Sequence, residues 1–148
     1  MIVSASCRTD IPAFYGEWFM NRLDAGFCRP ANPFGGRPYT VPLSTADVDG
    51  FIFCTKNLGP FMERLAEVRG RGYPFTVQYS VNGYPREIEP RVPPAESAAG
   101  HLHEVARLYG PRAAVWRYDT VVFSSLTDAR FHLENFDRLS AMMEGATD

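Results

Sequence analysis

Three short polar runs combine residue types able to bind and activate a small anion: Arg8-Thr9-Asp10, Thr55-Lys56-Asn57 and Arg117-Tyr118-Asp119. Gln78 and Ser80, with Asn82 just beyond, add amide and hydroxyl groups from a fourth place in the chain. Arginine presents a planar fork to carboxylate or phosphate, and lysine presents a compact point charge. Asp119 or Asp10 could act as a general base or accept from a ligand hydroxyl. The catalytic candidates are therefore Lys56, Asp119 and Asp10. The ligand-binding candidates are Arg8, Thr9, Thr55, Asn57, Gln78 and Arg117. Of the 15 cationic side chains Lys56 is the only lysine. Arginine in place of lysine across a whole chain usually reflects codon bias. Against that background a lone ammonium, whose pKa can be tuned, stands out. The same charges could instead form structural ion pairs, for example Arg117 with Asp10 or Asp119.

Other reactive residues carry less. His101 and His103 lie two apart on one helical stretch and face different directions, whereas a metal pair needs a spacing of three or four. His132 reads as a surface or packing residue, and no metal site is expected. Cys7 and Cys54 hold like positions after neighbouring strands, so their thiols could approach, although a free cysteine packed as a small hydrophobe is the commoner case. Cys28 is the third thiol. An odd count without C-x-x-C spacing supports neither a disulfide framework nor a local metal cluster. The chain has no G-x-G-x-x-G, no Walker loop and no G-x-S-x-G.

The elements that must position these runs alternate regularly. IVSAS at residues 2–6 is a first strand, followed by Asp10 as a helix cap and Pro12 in the first helical turn. The helix AFYGEWFMNRLDAG places Phe14, Trp18 and Leu23 near one face and stops at Gly26. Residues 27–43 hold four prolines and Gly35-Gly36, and read as a loop or irregular hairpin. A continuous apolar stretch, Phe51-Ile52-Phe53, suits a strand buried on both faces. Phe61, Leu65 and Val68 then recur at helical spacing. YPFTVQYSV is a third strand, and a Pro-rich excursion through Pro94 leads to a helix closing on Gly110-Pro111. AAVWRYDTVVF is a fourth strand. The last helix carries Phe131, Phe136, Leu139 and Met143 on one stripe. Strand centres are expected at 2–6, 51–55, 75–79 and 114–118.

Four consecutive βα units imply parallel strands joined by right-handed crossovers. The expected fold is a single α/β domain over residues 1–148, half of a TIM-barrel-like (β/α) barrel, since a complete barrel needs about 250 residues. Ligands in such folds sit beyond the carboxyl ends of the strands, where all the polar runs above fall. Arg8, Asp10, Lys56, Arg117 and Asp119 are accordingly expected to meet in one anion-binding pocket.

A formal charge of −2 gives no general attraction for nucleic acid, which is not an expected partner, or for acidic membranes. No apolar run approaches the roughly 20 residues of a membrane span, and MIVSASCRTD lacks the basic and apolar regions of a signal peptide. The cytoplasm is the expected location. An open four-stranded sheet leaves edges and a face that proteins avoid exposing, so self-association as a two-fold dimer is expected.

The segments SASCRTDIPAFYGEWFMNR, CTKN, WRYD and FHLENFDRL resemble the bacterial domain-of-unknown-function-1848 family across essentially the whole chain. The family pattern runs approximately S-x-R-R-T-D-I-P, W-T-K-N-P and W-R-Y-D-P. By this resemblance Arg8, Thr9 and Asp10 match the first motif, Thr55, Lys56 and Asn57 the second, and Trp116, Arg117, Tyr118 and Asp119 the third. Cys7 stands where the family has Arg, Cys54 where it has Trp, and Leu58 and Thr120 where it has Pro. Relatives are usually about twice as long and continue into a cysteine-rich stretch suggestive of an iron–sulfur cluster. This chain stops after its fourth long helix, so that cofactor is not expected in it. The resemblance implies no settled activity. Two functions fit: an enzyme, or the front half of one, acting on an anionic small molecule, and a non-catalytic or truncated ligand-binding module that self-associates.

Overall fold

The computed structural model describes residues 1–6, 8–30, 35, 37 and 39–147. The elements in chain order are β1 (Ile2–Ser4), α1 (Ile11–Phe14), α2 (Gly16–Ala25), β2 (Phe27–Cys28), β3 (Val41–Pro42), β4 (Gly50–Thr55), α3 (Met62–Gly70), β5 (Phe75–Ser80), α4 (Ala95–Tyr109), β6 (Ala114–Arg117) and α5 (Ala129–Met143). β1, β4, β5 and β6 form one parallel sheet in that order, as the four-fold alternation predicts. β2 and β3 pair antiparallel, so residues 27–43 contain a short hairpin.

The two faces of the sheet differ, because successive side chains on a strand point to opposite sides. Phe51, Phe53 and Thr55 alternate with Ile52 and Cys54, and register with Val77 and Tyr79 on β5 and Ala114 on β6. The first set is buried, and the second set, continued by Gln78, Ser80, Val115 and Arg117, is partly exposed. The helices supply the core against the buried face. Phe19 meets Phe51 and Phe53 edge-on, with ring centroids 5.1 and 5.2 Å apart, and Phe61 lies 5.0 Å from Phe53. Phe61, Leu65 and Val68 are fully buried, as their spacing requires.

Two helical stripes differ from expectation. Phe14 and Trp18 are exposed, while Phe19, Met20 and Leu23 are buried. The chain breaks at Tyr15, which ends α1 and caps α2, and the break resets the helical phase. On α5 the buried stripe is His132, Asn135, Leu139 and Met143, with Phe136 exposed. His132 and Asn135 turn inward, where Val122 O and Asn82 O lie within hydrogen-bond distance. Phe131 and Phe136 stack at the flanks on Tyr84 and Trp116, at 6.2 and 5.2 Å. Asp10 caps α1, accepting from Ala13 N at 3.0 Å, and Gly26 ends α2 in the left-handed conformation, as read from sequence.

Candidate functional site at the strand ends

Lys56 follows β4 and is held there by its own backbone. Asp10 Oδ1 caps α1, and its other oxygen accepts from Lys56 N at 2.8 Å. Both carboxylate oxygens therefore bind backbone N–H groups and tie the end of β1 to the end of β4. Thr55 Oγ1 accepts from Asn57 N at 2.9 Å, and Asn57 Oδ1 accepts from Gly59 N at 3.3 Å. Such side-chain acceptors build turns. Thr55 and Asn57 thus shape the turn that carries the ammonium forward. Lys56 Nζ donates to Asn82 Oδ1 at 2.9 Å and forms an ion pair with Glu89.

A second polar cluster lies one strand further. Arg117 Nη1 donates to Gln78 Oε1 at 2.8 Å and Nη2 to Asp119 Oδ2 at 2.5 Å. Ser80 Oγ donates to the other oxygen of Asp119 at 2.9 Å, and the Cys54 thiol donates to Gln78 Oε1 at 3.5 Å. Of the two anticipated ion pairs, Arg117 makes the one with Asp119. Ser80 joins the clusters, since it also lines a cavity of about 170 Å³ together with Lys56, Asn82, Arg86, Glu89 and Arg138.

Arg8 and Thr9 stand apart. They border a separate, mainly apolar cavity of about 340 Å³ that also touches Trp18, Cys28 and Tyr39. Burial pushes the Cys28 thiol up, with Arg22 opposing. The structure thus brings Lys56 and Asp10 together through the backbone, gathers Gln78, Ser80, Arg117 and Asp119 beside them, and places Arg8 and Thr9 elsewhere. Cys7, and with it the suggested thiol pair, falls outside the described residues. Among the described residues no group of three His, Cys, Asp or Glu side chains gathers as metal ligands would. No helix is long and apolar enough to cross a membrane.

Sequence reasoning missed Arg86, Glu89 and Arg138. Glu89 lies in a Pro-rich segment without periodicity, and its only signal is that a cation at a strand end needs a counter-charge. Arg138 reaches the cavity from α5, donating to Asn135 Oδ1 at 2.9 Å. A third network backs the site. Val122 O, which can only accept, lies 3.0 Å from His132 Nε2, so that nitrogen carries the proton. Tyr118 OH then donates to His132 Nδ1 at 2.8 Å and accepts from Asn135 Nδ2 at 3.1 Å. Asn135 Nδ2 also donates to Asn82 O at 2.6 Å, fixing the backbone beside the cavity. His132 is a packing residue with both nitrogens engaged.

A four-stranded parallel sheet with helices between its strands, and with charged side chains at its carboxyl ends, places the molecule among mixed α/β proteins. The chain belongs to the family described as Domain of unknown function (DUF1848), whose model matches residues 2–148. No curated protein and no solved structure matches it.

Proposed function

We propose that this chain is half of a (β/α) barrel whose strand-end cavity binds an anionic small molecule. The observation that carries the reading is Lys56: one ammonium, fixed by Asp10 at the end of β4, faces a cavity that Arg86 and Arg138 also line. Ligands of parallel α/β folds bind at this end of the sheet. Sequential strand order, joined by crossovers of the one hand that parallel βα units adopt, keeps the helices on one side, and this supports the barrel half over a doubly wound layer. The partly exposed face carrying Cys54, Gln78 and Arg117 then becomes the barrel interior, closed by a second copy. Binding is the function assigned. Asp119, held by Arg117 and Ser80 beside the cavity, is the group placed to accept a ligand hydroxyl. Thermal unfolding of the parent protein in phosphate, sulfate or acetate tests the reading. A melting temperature raised saturably over a chloride control at equal ionic strength is expected. Curves that coincide in all salts would leave the charges a structural network.

A further inference from the structure

Asn82 follows β5 and is 1% exposed. Its amide orientation follows from chemistry. The Lys56 ammonium can only donate, so the atom 2.9 Å from Nζ is the carbonyl oxygen Oδ1. The NH2 group therefore lies on the other side, where it is buried and has no hydrogen-bond partner among the described residues. A buried donor left unmade is costly and rare. Asn82 itself lines the cavity shared with Lys56.

The same cavity receives the start of α4, through Pro94, Ala95, Glu96 and Ala98. α4 runs 15 residues, and no side chain among the described residues caps it. Its first turn therefore offers backbone N–H groups and the positive end of the helix dipole. Glu96, largely exposed, pairs with Arg138 at 3.4 Å. An orphaned amide and an uncapped helix start thus meet around one space, and both call for an acceptor carrying negative charge.

Charge and size narrow that acceptor. Lys56, Arg86 and Arg138 line the space against Glu89 and Glu96, a net charge of +1 that rises to +2 once Glu89 leaves, so the space favours an anion. At about 170 Å³ the cavity is smaller than the roughly 300–1,000 Å³ of pockets for drug-sized ligands, and suits one small group. Lys56 already holds a carboxylate, that of Glu89, whose side chain is only 15% exposed. Glu89 lies on a turn bonded largely to itself. Ile88 N and Glu89 N donate to Pro85 O, both at 3.0 Å, and Arg86 Nη1 donates to Pro90 O and Val92 O at 3.3 and 2.7 Å. The ion pair with Lys56 is what ties this turn to the sheet end.

Building on the anion-pocket reading above, we infer that the cavity is a subsite for the carboxylate of a small molecule, with Glu89 as its tethered stand-in. An entering carboxylate accepts from Asn82 Nδ2 and Lys56 Nζ, faces the first turn of α4, and displaces Glu89 outward.

The test is a nuclear magnetic resonance titration of the full chain with sodium acetate, with phosphate and chloride arms at equal ionic strength. Acetate is expected to shift the Asn82 side-chain NH2 and the Ala95 and Ser97 backbone amides saturably. Glu89→Gln, which removes the competing charge, is expected to tighten acetate about three- to fivefold. Asn82→Asp keeps an acceptor for Lys56 but deletes the orphaned donor, and is expected to abolish the Ala95 and Ser97 shifts. Acetate binding unchanged or weakened by Glu89→Gln would overturn the inference. Saturable shifts with phosphate and none with acetate would overturn the carboxylate assignment and leave the anion pocket standing. Saturation by neither anion would remove both.

Discussion

Individual side chains at the strand ends divide into those that hold the backbone and those left to meet a ligand. Asp10 is of the first kind, with one oxygen on the α1 cap and the other on Lys56 N. A lost N-cap costs about 1 kcal/mol, and a second unsatisfied backbone donor adds a similar amount, so Asp10→Ala is expected to lower stability by about 2 kcal/mol in chemical denaturation. Tyr79 is similar. It is fully buried, and its hydroxyl accepts from Leu58 N at 3.3 Å. Burial raises its pKa above the ordinary 10.0, the Leu58 N–H opposes this, and Asp10 adds to the rise. The folded state therefore favours the neutral phenol. Its contribution is complete below pH 10 and is lost as pH climbs through the raised folded value. Tyr79→Phe is expected to cost about 1 kcal/mol at neutral pH and to flatten the alkaline fall of stability measured by denaturant titration. A variant as sensitive to alkali as the parent would shift that role to another tyrosine.

At the scale of elements, the segment between β5 and α4 decides the shape of the site. Gly83 opens it with φ +61, and a Cβ there would lie 2.8 Å from Arg138 Nη2 and 2.9 Å from Asn135 Oδ1. Gly83→Ala combines a left-handed backbone with this close approach. It is expected to cost about 1–2 kcal/mol and to disturb anion binding, as unfolding and titration of the variant would show. Much of this architecture was legible in the residues. Continuous or alternating apolar runs announce strands, and Phe61, Leu65 and Val68 mark the buried side of a helix, because period and burial are coupled. Asp10 and Gly26 announced a start and a stop for the same physical reasons. Less legible was the interruption at Tyr15, which no proline or glycine pair forces and which moved the buried stripe from Phe14 and Trp18 to Phe19 and Met20. Nor could spacing show that α5 turns His132 and Asn135 inward, because their partners, Tyr118, Val122 O and Asn82 O, come from other elements. Glu89 was hidden for a related reason: its place depends on how a Pro-rich loop folds back, which leaves no period.

For the whole molecule, the sheet ends in two outer strands, β1 and β6, each flanked by exposed apolar side chains. Trp18 shares a cavity with Val3 and Ser4 of β1, and Phe123 and Leu133 share one with Tyr118, just after β6. A two-fold axis along the strands would set β6 of each copy beside β1 of the other in parallel and close eight strands into a barrel. Light scattering at micromolar concentration is expected to give twice the 16.6 kDa mass of the chain, and a strictly monomeric mass would favour an open layer. The strand pattern predicts one shared pocket for Arg8, Asp10, Lys56, Arg117 and Asp119, whereas the structure divides them among a Lys56 cavity, an Arg117 cluster and a separate Arg8 cavity, a division set by three-dimensional packing. On the proposal above, the Lys56 cavity binds an anion. Lys56 is more exposed than Glu89, and losing their pair together with the bond to Asn82 Oδ1 is expected to cost about 1–2 kcal/mol, so denaturation of Lys56→Ala beside the titration separates binding from stability. Calorimetric titration of small oxyanions into the parent and Lys56→Ala proteins is the most direct measurement. Saturable heat in the parent, lost in a variant that melts within a few degrees of it, is the expected result. Equal binding by both proteins, or a variant that chiefly loses its fold, would contradict it.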